Sequence, residues 1–204
     1  VANSKIMESG FFENMYIQPA THDAGTALGA AYYIWNDVLS NEKRFVMAKA
    51  YWGPDYSNDQ VEEVLKAKEV KYSKVNNIEE ITAKFISEGK IIGWFQGKME
   101  WGPRALGNRS LLVDPRDANM KETLNTRIKK REPFRPFAPS ALEEDINDWF
   151  ELPKGCKSIS TEFMEFIFPV KESKKNLIPA VTHVDGTSRI QIVSQKSNPK
   201  YHKL

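Results

Sequence analysis

A single cysteine, Cys156, stands in a chain of 204 residues. That excludes an internal disulfide framework and any zinc site built from several cysteines, and a reducing cytoplasm fits it. Long apolar runs are missing too: none approaches the roughly 20 residues needed to span a bilayer, so no membrane partner is expected. No basic stretch followed by an apolar one opens the chain, which begins on Val rather than Met, and a leader is therefore not expected. What remains is an ordinary globular composition, 41% hydrophobic and 27% charged. The length suffices to bury the core of one large domain, or of one and a fraction.

The net charge of +2 hides an uneven distribution. Between Arg104 and Arg135, nine basic residues stand against four acidic ones, a local +5, so the remainder of the chain carries −3. Concentrated charge of one sign calls for an anionic partner. The basic residues are also set among bends. Gly102-Pro103 and Gly107-Asn108 are turn-forming pairs beside Arg104 and Arg109, and Arg135-Pro136-Phe137-Ala138-Pro139 stiffens the far side, where proline fixes φ and withholds donors. Between them Asn119 to Lys129 reads as a helix with Met120, Leu124 and Ile128 on a buried stripe. Guanidinium forks match phosphate and carboxylate oxygens and keep their charge when partly buried. Cations on stiff loops thus point to a small polyanion held in one pose. The competing reading is a surface basic patch, or ion pairs with Asp114, Asp117 and Glu132. Charge spacing alone leaves both open.

Elsewhere the pattern alternates helices with strands, which argues for an α/β fold. Residues 15–20 read as a short strand stopped by Pro19. A helix follows, with Leu28, Ala31, Trp35, Val38 and Leu39 recurring inward, Asp23 at the N-cap and Gly25 and Gly29 allowing close approach. Asp23 is then either a cap or a carboxylate aimed into a nucleotide or metal cleft. Asn58 to Val70 reads as a helix capped by Asn58, Lys71 to Val75 as a strand, Ile78 onward as a helix ended by Gly89, and Ile91 to Phe95 as a buried strand. Glu143 to Phe150 is expected as a short helix packing Ile146, Trp149 and Phe150, Lys154 to Ser160 as a loop, and Phe163 to Val170 and Arg189 to Val193 as strands. His183 and Asp185 precede Gly186, and a hydrogen-bonded Asp-Gly turn accounts for them better than a catalytic dyad.

Two stretches carry a family resemblance. FQGKMEWGPRALGNRSLLVDPRD followed by KKREPFRPFAPS, together with VANSKI and QPATHDAGTALGAA, resembles the NodU-type O-carbamoyltransferases, and the likeness covers nearly the whole chain. It implies that residues 1–40 are the end of an actin-like ATPase domain, 41–55 a linker, and 56–204 a YrdC-like domain, a twisted mixed sheet with flanking helices, incomplete at its C-terminal end. It further implies carbamoyl-adenylate formation from carbamoyl phosphate and ATP, followed by transfer of the carbamoyl group to the hydroxyl of a small molecule bound mainly by the absent N-terminal domain. Carried over by motif, Arg104, Lys129 and Arg135 form the catalytic set, with Arg109, Arg131, Ser140 and Arg189 as further phosphate binders. Glu100 and Asp114 would hold these arginines by ion pairing. Asp23 matches a metal ligand, for Fe or Mg, whose two histidine partners are not in this chain. The related hydrogenase-maturation enzymes carry paired-cysteine zinc fingers, and this chain has none. Two other classes compete: an RNA-binding YrdC-like domain, drawn to phosphate backbones by the +5 stretch, and a nucleotide-binding module without chemistry. Convergence of the basic residues on Gly/Pro bends speaks against nucleic acid.

Overall fold

The computed structural model describes residues 2–153, 156 and 158–204. In it α1 spans Ala2–Glu8, α2 Ala24–Tyr33, α3 Asn58–Ala67 and α4 Ile78–Ser87. The cap of α3 is Ser57, one residue before the expected Asn58: its hydroxyl accepts from the Gln60 amide at 3.2 Å, and the Gln60 carboxamide accepts from the Ser57 amide at 2.9 Å. This reciprocal pair satisfies two donors that the helix itself leaves free. Gly89 follows α4 at φ +79°, the left-handed turn expected there.

The segment α2 departs from expectation in two ways. It continues as a π-helical turn over Ile34–Val38, and it contains no buried residue, so Ala31, Trp35, Val38 and Leu39 face outward. Its apolar stripe has no counterpart among the described residues. Asp23 does not cap it either, because its backbone is already helical and its side chain makes no cap bond. The His22 ring accepts from the Ala24 amide instead, at 3.2 Å. Of the two glycines, Gly25 sits against the Ala20 carbonyl where a Cβ would collide, whereas nothing approaches Gly29.

Strands pair in three two-stranded ladders. Ile92–Phe95 (β1) runs antiparallel to Arg109–Leu112 (β2), Ser140–Leu142 (β3) runs parallel to β6, Gln191–Val193, and Ile167–Pro169 (β4) runs antiparallel to β5, Thr187–Arg189. The expected strand Arg189 to Val193 thus passes from one ladder to the next at Ile190, which is fully buried. Of Phe163 to Val170 only the last part pairs. Ile159–Phe163 forms a 3₁₀ turn, and Met164, at φ +58°, redirects the chain. No strand forms at 15–20 or 71–75. Ile17 spends its amide and carbonyl on the Ser160 hydroxyl, and Tyr72 and Lys74 dock on Glu62 of α3 through side chains. In β1 only Trp94 is buried. The helix within 143–150 is α6, Ile146–Trp149, preceded in the chain by α5 at Met120–Thr123 with a π-helical turn at Leu124–Ile128. Ile128 points outward, unlike Met120 and Leu124. A last helix, α7, spans Pro199–Lys203. In the loop expected at 154–160, Lys154, Gly155 and Lys157 lie outside the described residues.

The largest core cluster joins Ile146, Phe150, Phe166, Phe168, Val170 and Ile190, with the rings of Phe166 and Phe168 stacked at 5.9 Å. Each buried aromatic of this kind contributes roughly 1.5–3 kcal/mol. A second cluster around Leu106 and Phe163 and a third around Met120 and Leu124 lie beside it. These clusters fix the elements from which the basic residues project. No described helix is long and apolar enough to cross a membrane.

Candidate anion-binding site

Arg104, Lys129, Arg131, Arg135 and Arg189 all line one cavity of about 420 Å³, and Ser140, Gln191 and Tyr201 share its wall. Residues widely spaced along the chain meet there because three separate pieces of backbone are held rigidly.

The first piece is the loop between β1 and β2. Gly102 adopts φ +106° with the Pro19 carbonyl oxygen 2.6 Å from where a Cβ would stand, and Gly107 adopts φ +101° with the Tyr201 ring against it. Glycine is required at both, by backbone and by contact. Glu100, expected to pair with the arginines, does something else. Its Oε1 accepts from the amides of Leu106, Asn108 and Arg109, at 2.8, 2.8 and 3.1 Å, so one carboxylate gathers the loop behind Arg104. Asn108, Gln96 and Asn198 close a buried network on the same loop.

The second piece carries Lys129, Arg131 and Arg135. At its centre lies Asn125, fully buried, which donates to the carbonyls of Pro133 and Arg135 at 3.0 and 2.9 Å and accepts from Arg131 Nε at 2.7 Å. Lys130 turns the chain at φ +48°. The Arg131 guanidinium lies over the Phe137 ring, 5.0 Å from its centre, and Arg135 Nε pairs with the exposed Glu132 at 2.7 Å.

The third piece is the run through β5 and β6. Arg189 and Gln191 are two apart on extended chain and point the same way. Ser140 donates to Gln191 Oε1 at 3.0 Å and shares a hydrogen bond of 2.8 Å with Tyr201, while Gln191 Nε2 donates to the Leu106 carbonyl at 2.8 Å. Burial, then the nearby Arg104 charge, pushes the Arg189 guanidinium down to about 10, which still leaves it cationic at neutral pH. Glu165, buried, lies 3.6 Å from Arg104 Nε.

The structure leaves other expected residues outside this cavity. Arg109 turns to β1, its guanidinium 3.6 Å from the centre of the Phe95 ring and donating to the carbonyls of Gln96, Gly97 and Asn108. Asp114 pairs with Arg116, itself outside the cavity, at 2.5 Å. Asp185 accepts from the Thr187 amide and hydroxyl at 3.0 and 2.7 Å, and Gly186 turns at φ +78°, so the Asp-Gly turn accounts for both His183 and Asp185. Asp23 is exposed, and no group of three or more His, Cys, Asp or Glu able to hold a metal occurs among the described residues. Asn125, Glu165, Gln191 and Tyr201 were not singled out by sequence. Asn125 follows the buried Leu124 where the stripe predicts a turn to solvent, so the local pattern gave no signal of its burial.

Fixed cations beside a hydroxyl pair make a receptor for phosphate oxygens, and a second cavity of about 400 Å³ lined mostly by apolar side chains shares Leu111, Phe137, Ser140 and Tyr201 with it. A charged ligand with an apolar extension fits such a pair of hollows.

Comparison with known proteins agrees in sequence. The family described as Carbamoyltransferase C-terminus matches residues 83–204, and that described as Carbamoyltransferase N-terminus matches residues 1–32. Nodulation protein NolNO of Sinorhizobium fredii is 48% identical over 99% of this chain and 30% of its own length. Nodulation protein NolO of Bradyrhizobium diazoefficiens is 47% identical over 98% of this chain and 36% of its own. The 3'-hydroxymethylcephem-O-carbamoyltransferase of Streptomyces clavuligerus is 31% identical over 99% of this chain and 36% of its own. The chain thus spans about a third of the length of these curated relatives. With its basic loops, their spacing and the matched span in accord, this chain belongs to the NodU-type carbamoyltransferase family and corresponds to its C-terminal part.

Proposed function

We propose that this chain is the C-terminal part of an O-carbamoyltransferase, and that its cationic cavity binds carbamoyl phosphate and the phosphates of ATP to form carbamoyl-adenylate. The observation that carries this reading is the convergence of Arg104, Lys129, Arg131, Arg135 and Arg189 on one cavity. In this reading residues 56–204 form a YrdC-like body and residues 1–40 end an actin-like one, joined by 41–55. The rest of the actin-like body would bind the hydroxyl acceptor, and the cytoplasm is the proposed compartment.

The chemistry follows from charge. Two phosphorylated molecules repel strongly at contact distance, and cations already in place remove that cost. For atoms to balance, carbamoyl phosphate first yields its phosphoryl group to water. A carbamate oxygen then attacks the α-phosphorus of ATP, and the bond to the β-phosphate breaks with its electron pair leaving on pyrophosphate. Arg104 and Arg189 hold the carbamoyl donor, while Lys129, Arg131 and Arg135 receive the charge that develops on the leaving group. Ser140 and Tyr201 supply hydroxyls at the wall. Orientation and electrostatics suffice for such a step, with no covalent enzyme intermediate. Toward the expected metal, the exposed carboxylate of Asp23 is the ligand that the resemblance assigns to this chain, and no cluster able to hold a metal stands beside it among the described residues. Asp23 would be one ligand among others from outside the chain, and the steps above use only the cavity's own residues.

The test is exchange of labelled pyrophosphate into ATP, dependent on carbamoyl phosphate, in the full-length protein. Arg135→Ala and Lys129→Ala should each lower exchange by about 10²–10³, the cost of losing one transition-state donor. Among the described residues the Arg135 guanidinium pairs only with exposed Glu132, so melting should stay near wild type. Retained exchange in a folded variant overturns the assignment.

A further inference from the structure

Behind Arg104 and Arg189 stands a charged group that the function proposed above does not use. Glu165 is 9% exposed and follows Met164, whose left-handed backbone turns the chain out of the 3₁₀ segment and sets the carboxylate behind Arg104, itself a lining residue of the cavity. Its Oε1 lies 3.6 Å from Arg104 Nε, an ion pair too long to count as a hydrogen bond. Three buried atoms, Glu165 Oε1, Arg104 Nε and Arg189 Nε, have no hydrogen-bond partner among the described residues. The other oxygen, Oε2, accepts from the Thr21 hydroxyl at 3.5 Å. The backbone is fastened as well: Asn3 Nδ2 donates to the Glu165 carbonyl at 2.9 Å, and the Ile167 amide donates to Ser4 Oγ at 2.8 Å. Residues 3, 4 and 21 all belong to the segment that matches the family's N-terminus.

Two guanidiniums close together repel each other, and each disfavours the charge on the other. One carboxylate in contact with Arg104 and near Arg189 offsets that repulsion and leaves the trio with a net positive charge. Its position matters as much as its charge. Contact at Nε occupies the back of the Arg104 fork, and the terminal nitrogens of Arg104 make no hydrogen bond among the described residues. Those are the donors that grip a phosphate in a bidentate way.

We propose that Glu165 is a positioning residue of the anion cavity: its buried carboxylate, held by Thr21 from the N-terminal segment, keeps Arg104 and Arg189 side by side with their terminal nitrogens turned to one phosphate group. This rests on the phosphate reading of the cavity, and the test separates the two. The sign is informative, because deleting a negative charge near an anion site would by itself tighten anion binding. Positioning predicts the reverse.

In the full-length protein, Glu165→Gln should raise the KM for carbamoyl phosphate about tenfold in the exchange assay, with kcat changed less than about threefold. Glu165→Asp, which restores the charge one methylene short, should recover part of the loss. Thr21→Val leaves the carboxylate in place and removes only its tether, and it should raise KM about twofold to threefold while melting like wild type. It decides the matter if Glu165→Gln does not fold. Wild-type or tighter KM in a folded Glu165→Gln, or in Thr21→Val where that variant decides, overturns the positioning role alone. Absence of exchange in the wild-type protein overturns the phosphate reading, and this role with it.

Discussion

Asn125 shows how a neutral side chain decides where charged ones stand. It carries no charge and touches no expected ligand, yet its amide holds the carbonyls of Pro133 and Arg135 while its oxygen holds Arg131. Replacing it by leucine keeps the branched shape and removes every partner. Each buried group left unsatisfied costs roughly 1–3 kcal/mol, and relaxation of the loop recovers part of that, so Asn125→Leu should destabilise by about 2–4 kcal/mol. The loop would then release Arg131 and Arg135 from their common tether, and affinity for pyrophosphate should fall by about tenfold or more. Urea midpoints and calorimetric titration measure the two effects. Loss of stability with unchanged pyrophosphate affinity would show that Asn125 serves the fold and not the cavity.

Among the elements, the turn at 183–187 shows what pH does to this fold. His183 is partly buried, with Nδ1 3.1 Å from the Thr187 hydroxyl and Nε2 without a partner. Burial holds its pKa below the ordinary 6.5, and the Asp185 charge opposes this only in part. The unfolded chain therefore binds a proton more readily than the folded one, so this group withdraws stability as pH falls through about 6.5 and below. His183→Gln should remove that slope. Urea midpoints at pH 7.5, 6.5 and 5.5 should decline less in the variant than in the wild type. Elements of this kind differ in how far sequence foretells them. Helices α3 and α4 were legible because apolar spacing and, for α4, a terminal glycine are local signals, although the cap of α3 proved to be Ser57, one residue before the expected Asn58. The strands expected at 15–20 and 71–75 were not, because Ile17 is claimed by Ser160 and Tyr72 by Glu62, partners that no local pattern reveals. The cavity divides the same way. Arg104, Lys129, Arg131, Arg135 and Arg189 stand in recognisable motifs, and the structure brings them together. Arg109 stands in the same motif and turns to Phe95, while Glu165 is placed by the turn at Met164 and by contacts with residues 3 and 21, far off in sequence.

At the scale of the whole molecule, the question is whether a +5 stretch serves a small polyanion or a long one. A nucleic acid needs a broad basic face with aromatic platforms beside it. Here the exposed aromatics, Phe134 among the basic residues included, line no part of the cationic cavity, and four of the stretch's cations turn with Arg189 into one hollow. Salt separates the two designs. Each phosphate neutralised on a nucleic acid releases condensed counterions, so a binder making 6–10 such contacts loses about 10³–10⁵ in affinity between 50 and 200 mM salt. A compact ligand in a partly buried site has no such atmosphere to release, and its cations are screened less than exposed ones. Pyrophosphate affinity of the full-length protein should therefore fall by less than about tenfold over that range, and a 20-nucleotide RNA should not displace it at 200 mM salt. Calorimetric titration at four salt concentrations gives the slope directly. RNA that displaces pyrophosphate at the higher salt would mean that the basic loops read a polymer, and the carbamoyl-activating assignment would then have to give way.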